Sequence, residues 1–179
     1  HNPPEFNGMK LSLGKETLFG EQIQEIGRLA AEGASLKSPG KGKTEKYDII
    51  KSYGEHINKS FGDFSGIKAV VDAGNGTAGV VAPALLKAHG ADVIELYCEP
   101  DGNFPNHHPD PVVLENIKDL IATVKSEKAH VGIGYDGDAD RLGVVDEEGN
   151  AVWGDRLMII FARDILKTNP GASIIGEVK

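Results

Sequence analysis

An α/β fold is predicted: a mixed, largely parallel sheet flanked by helices. Three observations predict it. Between residues 68 and 146, short apolar runs alternate with amphipathic stretches in the order strand, helix, strand, helix, strand. The strand candidates are rich in Val, Ile and Ala, as strands covered on both faces are, and such an order implies a parallel sheet with helices on both sides. Of the 23 glycines, several, Gly74, Gly76 and Gly137 among them, stand at junctions between these elements, where backbone must turn sharply or approach another group closely.

Each element follows from its own pattern. Residues 10–13 alternate as a short strand. Residues 17–33 carry Leu18, Ile23, Ile26, Leu29 and Ala30 on one helical stripe. Residues 35–44, rich in Gly, Lys and Ser around Pro39, read as a linker. Helical spacing returns over residues 45–61 with Ile49, Ile50, Tyr53 and Ile57. A strand over 68–72, a helix over 77–89 and a strand over 92–97 follow. The next helix, 112–127, is opened by Asp110 as N-cap with Pro111 in the first turn. Strands over 130–135 and 142–146 enclose an acidic loop, and the Glu148-Gly149-Asn150 turn starts a further module. A helix over 155–168 is closed by Asn169-Pro170-Gly171, and a last strand is expected over 173–178.

Composition narrows the function. With 27 acidic against 19 basic residues and a net charge of −8, the 179-residue chain is a poor partner for nucleic acid or an anionic membrane. No apolar run reaches the roughly 18 residues of a membrane span, and no signal peptide opens the chain. A single cysteine, Cys98, forms no intramolecular disulfide, so a cytoplasmic location is expected. The opening His1-Asn2-Pro3-Pro4 without a methionine, and a buried strand at the other end, suggest an internal fragment of a longer protein.

Three motifs carry chemistry. Gly74-Asn75-Gly76-Thr77-Ala78-Gly79 fits G-x-G-x-x-G between a strand and a helix. It serves either as a dinucleotide pyrophosphate cradle or as a tight structural turn. Glu95 stands near the place of a ribose-binding acid, but inside its strand. Asp136-Gly137-Asp138-Ala139-Asp140-Arg141 sets three carboxylates at alternate positions after a strand, where oxygen donors converge on a hard cation. Asp136, Asp138, Asp140 and Glu147 also fall at EF-hand positions. However, Arg141 occupies the place of the obligatory glycine and the flanks are strand-like, so a calcium module is a weak alternative. The third motif, residues 1–10, is a proline-stiffened loop ending in Lys10, and by itself it specifies no reaction.

Together these segments resemble the α-D-phosphohexomutase family and, within it, the bacterial enzymes of mannose and glucose phosphates. The family's active-site serine lies in a Thr-(Ala/Gly)-Ser-His-Asn-Pro loop, whose His-Asn-Pro opens this chain. The acidic motif resembles the family's D-G-D-(G/A)-D-R loop. Residues 71–76 and the Asp101-Gly102-Asn103-Phe104-Pro105-Asn106-His107-His108-Pro109 segment resemble family segments in the same order. The resemblance implies residues 1–46 as the end of a first domain, 47–148 as the second domain with its metal loop, and 149–179 as the start of a third. It implies interconversion of hexose 1-phosphate and hexose 6-phosphate through a phosphoserine and a bisphosphate intermediate. Asp136, Asp138 and Asp140 would hold Mg²⁺, Arg141 and Lys10 would act on the transferring phosphoryl group, and His1 and Asn2 would shape the serine loop. Arg156 and Lys179 would face the phosphosugar. The 179 residues without the serine are expected to be inactive, and the apolar face of Leu157, Ile160, Phe161 and Ile165 is expected to drive self-association.

Overall fold

The computed structural model describes residues 6, 8–33, 40 and 42–176. It divides into two compact units, residues 1–47 and 48–179.

In the first unit, β1 (Ser12–Leu13) and β2 (Glu16–Thr17) form an antiparallel hairpin with Gly14 at φ +62° in its turn. Helix α1 (Glu21–Ala31) starts later than the expected residue 17, because Thr17 is used in the hairpin and Gly20 turns the chain at φ +55°. Arg28 bridges Glu25 and Glu32 along the exposed face of α1.

The second unit begins with α2 (Ile49–Ile57), whose N-cap Asp48 accepts a hydrogen bond from the Lys51 N–H at 3.1 Å. A five-stranded sheet follows, in the order β4-β3-β5-β6-β7. Its strands are β3 (Lys68–Asp72), β4 (Asp92–Leu96), β5 (Val131–Tyr135), β6 (Leu142–Asp146) and β7 (Ala151–Val152). The expected parallel pairing holds for β4-β3-β5, while β6 and β7 run antiparallel. Their connections are hairpin loops, and a parallel crossover needs a dozen or more residues, roughly a helix in length.

Two expected helices are divided. Residues 77–89 form a 3₁₀ turn, Thr77–Val80, then α3 (Ala82–Ala88) with Pro83 in its first turn. Residues 112–127 form a 3₁₀ turn, Leu114–Ile117, then α4 (Lys118–Glu127), which ends at Lys128 in the left-handed region. Asp110 is therefore not the cap of α4; its carboxylate accepts the Val112 N–H within a turn. Helix α5 (Gly154–Thr168) stands where expected. The last predicted strand is absent over residues 173–176, which have no strand beside them and no regular structure; Val178 lies outside the described residues.

The core lies between α4 and the sheet. Val70, Ile117, Leu120, Val124, Ala129 and Val145 are all at most 2% exposed. Gly132 and Gly134 let α4 approach β5, since a Cβ at Gly132 would stand 2.7 Å from Val124 Cγ2. On the other side of β5, Tyr135 lines an apolar cavity of about 670 Å³ with residues of α2, α3 and the Thr77–Val80 turn. Among the described residues no helix is long and apolar enough to cross a membrane.

Candidate metal centre at the carboxyl edge of the sheet

Strand β5 is central in the sheet and buries its exit, so Asp136 is only 1% exposed. The chain then reverses through residues 137–141 into β6, with Tyr135 opposite Leu142. Asp136 organises this loop. Its Oδ1 accepts the Arg141 N–H at 3.0 Å, and its carbonyl accepts the Ala139 N–H at 3.1 Å. Ala139 sits at φ +64°, a left-handed conformation that costs an L-residue about 1–2 kcal/mol. Strain of this kind is retained where the loop geometry matters.

The loop brings one carboxylate oxygen from each of Asp136, Asp138 and Asp140 to within 4.8 Å of one another. Asp138 and Asp140 are exposed, Asp136 is buried. The charge of Asp138, followed by partial desolvation and the charge of Asp136, holds the Asp140 carboxyl above its ordinary value. Like charges this close are relieved by a cation. The donor set fits a small hard ion. Three carboxylates, one buried and two exposed, offer the all-oxygen donors that such an ion takes. Arg141 completes the motif with Nε 3.7 Å from Asp136 and 3.9 Å from Asp140. Strands flank the loop, so the helix-loop-helix frame of an EF-hand is missing.

Behind the loop stands the glycine-rich turn. Gly74 and Asn75 take φ +50° and +60°, and the Thr77 N–H donates to the Gly137 carbonyl at 3.0 Å. A Cβ on Gly79 would fall 1.9 Å from the Cys98 carbonyl. The first N–H of the 3₁₀ turn is therefore committed inside the protein, and a four-residue 3₁₀ segment replaces the helix on which a pyrophosphate would rest. Glu95, the acid considered for a ribose, pairs with Lys87 on the sheet edge. The geometry supports the structural reading of this motif over the dinucleotide one.

A buried network ties the turn to residues 97–109. Asp72, 1% exposed, accepts the Gly74 N–H at 2.9 Å and lies 3.0 Å from His107 Nε2. Burial raises the Asp72 carboxyl above its ordinary value, opposed by the Gly74 N–H and by His107. Asn75 donates to the Glu99 carbonyl and accepts from the Asn106 amide at 2.7 Å. Tyr97 stacks edge-on against His107 and donates to Asp119 at 2.8 Å. Sequence reasoning did not find this network. Its one local signal is the aspartate that ends β3 directly after the apolar Ala69, Val70 and Val71.

Of the other residues expected in a site, Arg156 is exposed in the first turn of α5, where its N–H donates to the Trp153 carbonyl. Lys10 is exposed, just ahead of β1 in the first unit. His1, Asn2 and Lys179 lie outside the described residues.

A family model described as phosphoglucomutase/phosphomannomutase, alpha/beta/alpha domain II, matches residues 49–149, the stretch that holds the sheet and the acidic loop. The chain belongs to the phosphoglucomutase/phosphomannomutase family. It is 51% identical over 179 residues to a phosphomannomutase/phosphoglucomutase of Pseudomonas aeruginosa, covering 100% of this chain and 38% of that protein. It is 46% identical over 179 residues to a phosphoglucomutase of Neisseria gonorrhoeae, covering 100% of this chain and 39% of that one. A crystal structure of a phosphoglucomutase/phosphomannomutase family protein from Burkholderia thailandensis superposes with a TM-score of 0.85 at 44% identity, over 96% of this chain and 37% of that chain. The chain thus spans less than two fifths of the length of these family members.

Proposed function

We propose that this chain is the cation-binding part of a cytoplasmic, Mg²⁺-dependent phosphohexomutase acting on glucose and/or mannose phosphates. The reaction interconverts hexose 1-phosphate and hexose 6-phosphate through an active-site phosphoserine and a bisphosphate intermediate. In this reading residues 1–46 end a first domain, 47–148 form the second and 149–179 begin a third. One observation carries the proposal: three carboxylates converge within 4.8 Å at the carboxyl edge of the sheet, inside the stretch that matches the family.

When bound, the cation supplies Lewis-acid charge to phosphoryl oxygens. Asp136, which is held by the N–H groups of its own loop, would hold the cation together with the exposed Asp138 and Asp140. The Arg141 side chain, 55% exposed and with its Nε 3.7 and 3.9 Å from the two carboxylates, would present a planar donor pair to a phosphate. Lys10 provides charge or a proton near the serine, His1 and Asn2 shape the serine loop, and Arg156 and Lys179 meet the sugar phosphate. Phosphoryl transfer of this kind depends on positioning and charge neutralisation more than on covalent help from further side chains.

By themselves the 179 residues are expected to show no turnover of glucose 1-phosphate, because the family pattern places the reacting serine ahead of His1. The decisive experiment grafts this chain in place of the matching segment of the Pseudomonas relative and assays mutase activity with a bisphosphate activator. The chimera is expected to turn over, and Asp138→Asn within it to lose at least about a hundredfold in kcat. A folded chimera indifferent to Asp138→Asn overturns the proposal.

A further inference from the structure

The glycine-rich turn has so far been given only a structural part, yet its geometry points at the acidic loop. The contact is made through Gly137, which lies between two of the three carboxylate residues. Its carbonyl accepts both the Thr77 N–H at 3.0 Å and the Thr77 hydroxyl at 3.3 Å, across 60 residues of sequence. Gly76 lies against the same residue, for an added Cβ would stand 2.7 Å from the Gly137 oxygen and 3.0 Å from its Cα. Gly76 has φ −90° and ψ −172°, extended backbone open to any residue. Glycine is needed there for space and not for its dihedral freedom.

The turn is itself immobilised from the opposite side. The Asn75 N–H donates to the Tyr97 carbonyl at 2.7 Å, and the Asn106 amide donates to Asn75 Oδ1 at 2.7 Å. Buried Asp72 holds the Gly74 N–H. A rigid surface therefore meets the loop at one peptide, and displacing that peptide moves the Cα of Asp138.

We propose that Gly76 and Thr77 are positioning residues for the cation site. They set the place of the Gly137 peptide, and through it the reach of Asp138 toward an ion shared with Asp136 and Asp140. The inference rests on the metal reading above.

The test is titration of the 179-residue chain with Mn²⁺, following free Mn²⁺ by electron paramagnetic resonance, alongside urea unfolding of each variant. Gly76→Ala is expected to weaken Mn²⁺ binding about tenfold, the lower end of what losing an outer partner of a ligand does. Thr77→Val keeps the N–H and the shape but loses the hydroxyl, and is expected to weaken binding by about threefold with its urea midpoint unchanged. Thr77→Ser restores the hydroxyl and the wild-type affinity. A merely structural role would lower the urea midpoint and leave the Mn²⁺ affinity of the folded chain where it was. Should Gly76→Ala not fold, the Thr77 pair decides. Binding lost in Asp138→Asn but equal in wild type, Gly76→Ala and Thr77→Val overturns the positioning role alone. Binding that survives Asp138→Asn overturns the metal reading and this inference with it.

Discussion

Helix α4 places Leu120 and Val124 against the sheet at 0% exposure, whereas α5 buries only Leu157 and leaves Ile160 at 57% and Phe161 at 52%. Both helices carry an apolar stripe of helical period, and α5 is the longer, 15 residues against 10. The difference is made by what faces them. Opposite α4, β5 has glycine at 132 and 134, so leucine and valine side chains reach the strand backbone. Opposite α5 the described residues offer no comparable surface. An amphipathic stripe thus fixes which side of a helix seeks a partner, while the partner's own small residues decide whether it is buried.

The largest expected effect tests this contrast directly. Leu120→Ala should cost roughly 3–4 kcal/mol in urea unfolding, as fully buried leucines do, whereas Ile160→Ala should stay within about 0.5 kcal/mol. Equal losses would erase the distinction. Next comes Cys98, at the edge of the well-packed region, whose thiol is pushed up to about 11 by burial and then by the charge of Glu95. An ordinary thiol has a pKa of about 8.5, so at pH 8 the Cys98 thiolate fraction should be lower and its modification by an aromatic disulfide about a hundredfold slower. Its rate should climb with pH toward 11 in the folded chain. Fast modification at pH 8 in the native protein would show that the region opens readily. The smallest effect concerns α5. The wild-type chain should associate with rising concentration in sedimentation, and Ile160→Lys with Phe161→Lys should reduce that association without lowering the unfolding midpoint. Identical sedimentation would mean the exposed face of α5 drives nothing.

The acidic loop was legible because its signal is local. Three aspartates at alternate positions after an apolar strand need no distant partner to be recognised, and the structure brings Asp136, Asp138, Asp140 and Arg141 together. The strands from 68 to 146 were legible for the same reason. What could not be read depends on residues far apart in sequence. The Asp72–His107 pair spans 35 residues, and the Thr77–Gly137 contact spans 60. The late starts of α3 and α4 also follow from tertiary demands. Gly79 is pressed against Cys98, and Asp110 is diverted into a turn that also binds the Asn116 amide. Pattern at a helical period does not distinguish a 3₁₀ turn leading into a helix from a longer helix. Ile174 and Ile175 are β-branched, as strand residues often are, but composition supplies no neighbour to pair with.

The junction of β5 with its two neighbours has a kinetic consequence. Against β6 the strand pairs through a hairpin, a local event on the scale of roughly 1–10 μs. Against β3 it pairs in parallel across more than 60 residues, so Ala69 meets Val131 only after a large loop has closed. The acidic loop therefore acquires its outline early, as the cap of a hairpin, while the surface on which Gly137 rests arrives with the slower long-range pairing. On the proposed metal reading, cation affinity in a refolding experiment would rise with that second event, and a bound ion would then report the completion of the sheet and not the formation of the loop.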